Sequence, residues 1–264
     1  MFTNTRHRVW LTEEEMDVLR PYLPTPRGKQ RVDDRRVISG MIHVQMTGCR
    51  WRDAPEDEYG SHKTLYTRWR RWSKNGLFVG ILVLLALETM SKERNKKRTQ
   101  AHMDTTYCKA HPRACSGAFH TAEAGRLIDR TKGGQNSKLH GICDGKMRLF
   151  GIHLTEGTAS DYAGVEPLLE LVPKWVKRLA ADRGYDANWV REALESMGID
   201  PCIPGKKNRL VDIKYDTEFY KERNNIERAF NRIKDWRRVA TRYDRCPEMF
   251  LSTCALAAIV MFWL

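Results

Sequence analysis

Up to about residue 100 the hydrophobic positions recur at helical spacing. Thr12 stands before Glu13, Glu14 and Glu15, a cap with acids in the first turn, and Pro21 and Pro24 close that helix. A basic loop over 26–31 follows. Asp33 and Asp34 open a second helix with Val37, Met41, Ile42 and Val44 on its apolar side, broken by Gly48 and the segment 51–55. Residues 61–72 read as a third helix capped by Ser61. Its apolar face holds Leu65, Trp69 and Trp72, and Lys63, Arg68, Arg70 and Arg71 spread over the others. Leu77 to Met90 reads as a fourth, strongly apolar helix.

Beyond the basic stretch 91–98 the period changes. Residues 101–108 read as a strand, and 138–143 with 149–155 as a hairpin turning at Asp144-Gly145. A helix over 161–172, capped by Ser160 or Asp161, leads to a strand over 176–181 that ends at Asp182. A helix over 187–197 stops at Gly198. A short strand over 200–204, a basic loop over 205–209, a helix of about 20 residues from Thr217, and an apolar helix over 247–264 complete the chain. A meander of three strands followed by alternating units predicts an α/β fold, a mixed sheet flanked by helices. A small all-α domain over 1–90 and a linker over 91–99 would precede it, leaving 100–264 for the sheet domain.

Charge narrows the partners. The 264 residues hold 46 Lys and Arg against 33 Asp and Glu, a net charge of +13. Aromatics are interleaved with the basic residues, as in Trp69-Arg70-Arg71-Trp72, which suits DNA better than a membrane. The short helix, turn and basic helix ending at Trp72 predict a helix-turn-helix reader, with Arg68, Arg70 and Arg71 as its first candidates for DNA contact. Seven cysteines, none in a Cys-x-x-Cys pair, argue against zinc or a disulfide framework. The apolar runs 77–87 and 251–264 fall short of the roughly 18–20 residues of a membrane span. With no apolar leader after Met1, a cytoplasmic protein is expected.

The candidate chemistry lies in three carboxylates. Asp104 and Asp182 sit at strand ends, and Glu227 on a helix. Three convergent carboxylates form a ligand set for two magnesium ions, the arrangement suited to phosphodiester chemistry. Tyr220, Arg223, Glu227 and Lys234 are spaced by three, four and seven, and so share one arc beside the stripe of Ile226, Phe230 and Ile233.

With these blocks the chain resembles bacterial insertion-sequence transposases of the DDE type, in the group of insertion sequence five within the insertion-sequence-four-like superfamily. Tyr220-x2-Arg223-x3-Glu227-x6-Lys234 resembles that superfamily's signature. Met-Asp104-Thr-Thr and Ala-Asp182-Arg-Gly-Tyr-Asp are similar to its two aspartate blocks, and Trp51-Arg-Asp-Ala-Pro and the segment 131–140 are similar to further ones. The resemblance implies a ribonuclease-H-like catalytic domain. It also implies Mg2+ or Mn2+, two ions, on Asp104, Asp182 and Glu227. Double-stranded DNA would be the partner, both terminal inverted repeats and target, and a homodimer would pair the ends. Lys234 would reach a phosphate, Arg223 orient Glu227 or touch the backbone, and Tyr220 pack on DNA or on the arginine. Lys132, Lys138, Lys206, Lys207 and Arg209 would add phosphate contacts. One branch of the superfamily carries a large β insertion before the Glu helix, and here only 205–216 fills that interval. A structure-specific nuclease of the same fold and a DNA-binding regulator without catalysis remain the alternatives.

Overall fold

The computed structural model describes residues 9–25, 33–93, 96–115 and 125–264; the basic loop expected at 26–31 lies outside the described residues. Helix α1 (Glu13–Leu19) starts on a reciprocal cap. The Thr12 hydroxyl accepts from the Glu15 amide at 3.1 Å, and the Glu15 carboxylate accepts from the Thr12 amide at 2.7 Å. Helix α2 (Asp34–Thr47) is capped by the Asp33 side chain and ends at Gly48, whose φ of 76° suits a residue without a Cβ. Helices α3 (Glu56–Tyr59), α4 (His62–Lys74) and α5 (Leu77–Lys92) follow. Ser61 stands at the N-cap of α4 but contributes its carbonyl, not its hydroxyl: the amides of Thr64 and Leu65 bond to it.

The second half is built on strand β1 (Gln100–Ala110), followed by α6 (Pro112–Cys115), β2 (Asp129–Thr131), β3 (Gly134–Asp144) and β4 (Leu149–Glu156). Then come α7 (Val165–Leu169), β5 (Arg178–Ala181), α8 (Asn188–Ser196), β6 (Asp200–Cys202), α9 (Thr217–Lys221), α10 (Asn224–Ile233), α11 (Arg237–Ala240), β7 (Thr241–Arg242) and α12 (Pro247–Phe262). β3 lies antiparallel to β1, and β2 and β4 share its far edge; on the other side of β1 run β5 and then β6, both parallel. A three-stranded meander extended by parallel strands, with helices on both faces, is the ribonuclease-H-like arrangement expected.

Two expected helices differ in detail. Residues 161–172 form a 3-10 turn (Asp161–Gly164) and then the short α7. Gly164 rests on the His140 ring, and a Cβ there would lie 2.3 Å from it, so the chain must turn tightly at that point. The helix expected from Thr217 is two helices, α9 and α10. Between them the amides of Arg223, Asn225 and Ile226 bond to carbonyls three residues back, which tightens the turn and breaks the axis at Arg223.

Helix α12 explains how the two halves of the chain meet. From Met249 to Val260 every residue but Leu251 is buried, so this helix has no solvent face. It packs on α5, α4 and α2 on one side and on β4 and α10 on the other. Thr253 Oγ1 donates to Gln45 Oε1 across that packing, at 3.1 Å with both side chains buried. The Trp263 indole donates to the Leu149 carbonyl at 2.7 Å. The N-terminal helices and the sheet therefore enclose a single apolar cluster. Among the described residues no single helix is long and apolar enough to cross a membrane.

This packing sets what truncation should do. A chain starting at Ser91 would uncover the α4, α5 and α2 side of α12, and large apolar side chains each lose about 1.5–3 kcal/mol when exposed. Such a fragment, and equally one lacking 251–264, is expected in the insoluble fraction after expression. A soluble fragment with a cooperative melting transition would show that α12 does not need both sides covered.

Candidate active site

The site is set by an interruption in the sheet. β5 runs beside β1 only as far as the pair Met103 and Ala181, and β7 takes up the same edge from Lys109. Among the described residues no strand pairs with that edge between them. Asp104 is the first residue of β1 in this gap. Asp182 is the residue immediately after β5, so the two aspartates stand roughly one strand spacing apart, about 4.8 Å. The crevice beyond the carboxyl end of a parallel strand is where an α/β sheet leaves room for a ligand.

Asp182 is held by its own turn. Its Oδ1 accepts from the Gly184 amide at 2.8 Å, and a Cβ at Gly184 would stand 2.8 Å from that oxygen. Asp104 Oδ1 accepts from the Thr105 amide at 2.8 Å, and its Oδ2 accepts from Arg223 Nη1 at 2.7 Å. The other arm of the same guanidinium, Nη2, donates to Glu227 Oε1 at 2.7 Å. One arginine thus ties the strand carboxylate to the helix carboxylate, and its position at the break between α9 and α10 lets it do so. Lys234, at the C-cap of α10, donates to Thr106 Oγ1 at 2.5 Å. Tyr220 lies with its ring 5.8 Å from the Arg223 guanidinium and edge-on to Tyr215.

Helix α10 reaches this position because β3 has no side chain in its way. Gly141 lies opposite Asp104 in the ladder, and a Cβ there would come within 2.7 Å of the Phe230 ring. Phe230, Ile226 and Ile233 are the buried stripe that presses α10 onto the sheet, and Glu227 rides beside it.

Electrostatics mark Asp104 as the stressed group. Burial pushes its carboxyl up to about 6; Asp182 and Glu227 push the same way, against the Thr105 amide and Arg223. Burial also raises the Tyr185 phenol far above its usual range, and the nearby Asp104, Asp161 and Asp182 add to this, so it stays protonated beneath them.

Of the two caps expected for this helix Ser160 is the one used, and Asp161 turns instead to the other face of β1: its Oδ1 accepts from Thr105 Oγ1 at 3.1 Å and from Lys138 Nζ at 2.8 Å. No local pattern marks it, because its partners come from two strands. Lys138 needs correction for the same reason. It is buried, bonds the Ala159 carbonyl and Asp161, and lies over Tyr107, so it holds the fold together and presents no cation to a phosphate. Arg68 also turns inward, bonding Asp34 at 2.8 Å with only 9% of its side chain exposed. A tryptophan-lined helix face left room for its guanidinium beside Trp72. Arg70 and Arg71 stay on the surface of α4. Of the loop cations, Arg209 bonds Asp186 and Asn188, Lys206 bonds the Tyr162 hydroxyl, and Lys207 and Lys132 are exposed.

Comparisons with known proteins give the family. Residues 97–261 match the family described as "Transposase DDE domain". The chain belongs to that family. Residues 11–82 match a second family, described as "Putative transposase of IS4/5 family". The chain is 32% identical over 129 residues to the "Putative transposase for insertion sequence element IS6501" of Brucella ovis, covering 48% of this chain and 98% of that one. It is 25% identical over 145 residues to the "Putative transposase for insertion sequence element IS402" of Burkholderia cepacia, covering 51% of this chain and 65% of that one. Among solved structures, a pre-cleavage Mos1 transpososome aligns over 89% of this chain and 80% of that one at 10% identity. Its TM-score of 0.29 is too low to carry an argument. The family is one of insertion-sequence transposases, and its activity is DNA transposition with divalent-metal dependence.

Among the described residues no three His, Cys, Asp or Glu side chains stand together as a ready metal cage. The donor set nevertheless fits a hard cation. Its donors would be carboxylate oxygens only; burial, with Asp182 and Glu227 adding to it, lifts Asp104, and Arg223 supplies positive charge between Asp104 and Glu227.

Gly141 gives a direct test of how the site is positioned. Gly141→Ala would force Phe230 and α10 away from β3, and overpacking of this kind costs about 1–3 kcal/mol. The expected result is a lower melting temperature together with a loss of activity. Phe230→Leu in the Gly141→Ala background should recover part of both. An unchanged melting temperature for Gly141→Ala would show that α10 does not rest on that glycine.

Proposed function

We propose that the chain is the catalytic transposase of an insertion sequence, in the group of insertion sequence five. It would bind terminal inverted repeats, cleave the ends and join the freed 3′-hydroxyl to target DNA. The observation that carries this reading is the Arg223 bridge from Asp104 to Glu227, in the sheet gap beside Asp182. Asp104, Asp182 and Glu227 would hold Mg2+ or Mn2+, two ions in all. When bound, the metal supplies Lewis acidity for water and for the leaving oxygen of an in-line phosphoryl transfer.

The chain's own groups have separable tasks. Arg223 keeps Asp104 and Glu227 at fixed separation before any metal arrives, so less ordering is left for binding. When positive charge enters between the carboxylates, the guanidinium can turn to the DNA backbone. Lys234, fixed by Thr106, would place a positive charge on a phosphate one end of α10 away from Glu227. Tyr220 supports Arg223 from below. Arg70 and Arg71 on the outer face of α4 would contact the repeat, and the net charge of +13 would draw in any duplex in a salt-dependent way. Pairing two ends calls for a homodimer on DNA. The intact carboxylate set favours this reading over a regulator, and a joining assay separates it from a nuclease.

Asp104→Ala tests the assignment in two readouts. In a plasmid assay with the element's own ends, cleavage and joining are expected to drop by at least about 10²–10³, the cost of losing one group that stabilises transition-state charge. Affinity for end DNA should stay within a factor of about two, because phosphate contacts elsewhere dominate it. Wild-type cleavage by this variant would place the catalytic metal elsewhere.

Metal binding has its own thermal signature. Ligating carboxylates must be ionised, and Asp104 stands near 6 in the metal-free protein. Mn2+ or Mg2+ should therefore raise the melting temperature at pH 8, and the rise should shrink as the pH falls through 6 and protons compete for Asp104. Asp104→Asn should abolish the rise at every pH. A rise that persists in Asp104→Asn would mean the ion binds without that carboxylate.

A further inference from the structure

A second site lies at the other end of β1. A cavity of about 870 Å³ opens where the loop after α2, the outer face of α4, the β7–α12 turn and the start of α12 meet. Its wall carries Arg70 and Lys74 from α4 and Arg113, Arg238 and Arg245 from the sheet half. His111, which follows β1 and stacks on Tyr243 of the wall, is seven residues beyond Asp104, roughly 20 Å along the strand. This is not the carboxylate site.

Three features of the wall go beyond a basic surface. Aromatic rings face the cavity: Tyr66 and Tyr243 are 42% and 38% exposed, and Trp51 stands edge-on to Tyr66 at 5.6 Å. The Arg238 guanidinium is held between Trp51 and Tyr243, 6.0 and 5.7 Å from their ring centres, with its Nη2 on the Cys49 carbonyl; its buried Nε has no hydrogen-bond partner among the described residues. Asp244 is 9% exposed, and its buried Oδ2 likewise has no hydrogen-bond partner among the described residues. A buried acceptor and a buried donor left open in the wall of one cavity cost free energy unless a ligand satisfies them.

These features together select among ligands. A duplex presents phosphates, which would use the cations but leave the rings idle and meet Asp244 with repulsion. An unpaired nucleotide uses the cations, the rings and Asp244. Its base stacks on an aromatic face, as in single-strand sites. Its amino or ring N–H edge donates to a carboxylate, and its phosphate meets the cations. We propose that this cavity takes an unpaired nucleotide of a DNA strand, with the base on Tyr66 and Tyr243, its N–H edge on Asp244, and the flanking phosphate on Arg70 and Lys74. The proposal rests on the transposase reading, since it takes DNA as the substrate. It adds that the enzyme holds a strand locally opened or frayed, far from the carboxylates. The wall is shared between the N-terminal helices and the sheet half, so such a nucleotide would be gripped by both.

The test uses the full chain in EDTA, which separates binding from cleavage. One probe is a duplex with a three-nucleotide single-stranded overhang carrying 2-aminopurine; the other is the same duplex made blunt. Wild-type protein should change the 2-aminopurine fluorescence of the overhang and bind that probe more tightly than the blunt one. Tyr66→Leu and Tyr243→Leu should each weaken overhang binding by about tenfold, the scale of one lost base stack, and leave blunt-duplex affinity within a factor of about two. Asp244→Asn should change the order of preference among the four bases in the overhang. Tyr66 is on the surface of α4, so its variant carries the test if Tyr243→Leu lacks a cooperative melt. Equal losses on both probes, or no loss on the overhang, would overturn the proposal. So would tighter binding of a free nucleoside monophosphate than of the overhang. If wild-type protein binds neither DNA, the transposase reading itself fails, and that outcome is distinct from all of these.

Discussion

A helix with no polar face has to be covered on every side, and α12 is such a helix. Its residues from Met249 to Val260 leave the sheet on one side and need α2, α4 and α5 on the other. That requirement joins the N-terminal helices to the sheet half far more firmly than the polar stretch 91–98 suggests. It also explains why the wall of the basic cavity draws on both halves of the chain: once α4 is pressed on α12, its outer face comes to lie beside β7 and the turn at Tyr243. Burial of apolar surface has no direction of its own, and the direction here comes from polar links such as Thr253 to Gln45, Arg238 to the Cys49 carbonyl and the Arg148 fork on Glu93.

At the carboxylates the governing term is the cost of burying charge. Asp104 is buried, and Asp182 and Glu227 beside it add to the penalty on its ionised form. Arg223 is the local answer. It neutralises part of the charge and uses both arms of its fork to set the spacing of a strand residue and a helix residue. The same arginine sits where the axis breaks between α9 and α10, so its backbone position and its two bonds depend on each other. Gly141 and Phe230 then fix the distance of α10 from the sheet. Asp161 and Lys138 brace the opposite face of β1 through Thr105. Chemistry of this kind tolerates little error in position, which is why most bonds around the site are charge-assisted and join separate elements.

Much was written into the residues themselves. The period change near residue 100, the Thr12 and Asp33 caps, the turn at Asp144-Gly145 and the strand ending at Asp182 follow from local rules, since each depends on neighbours a few positions away. The carboxylates and the Tyr220, Arg223, Glu227, Lys234 spacing could be seen for the same reason: they lie in short blocks. What required the tertiary structure was every relation between distant parts. Arg68 and Lys138 look like free cations until Asp34 and Asp161 are brought beside them. Asp161 looks like a cap until β1 and β3 present Thr105 and Lys138 to it. The helix from Thr217 looks continuous until Arg223 must reach both Asp104 and Glu227. Local propensity is a matter of a few tenths of a kcal/mol per residue, whereas a buried charge demands a partner wherever the chain can supply one. The sequence alone determined most of the elements and the blocks that carry the acids; the long-range packing decided where helices break and which charges serve the fold.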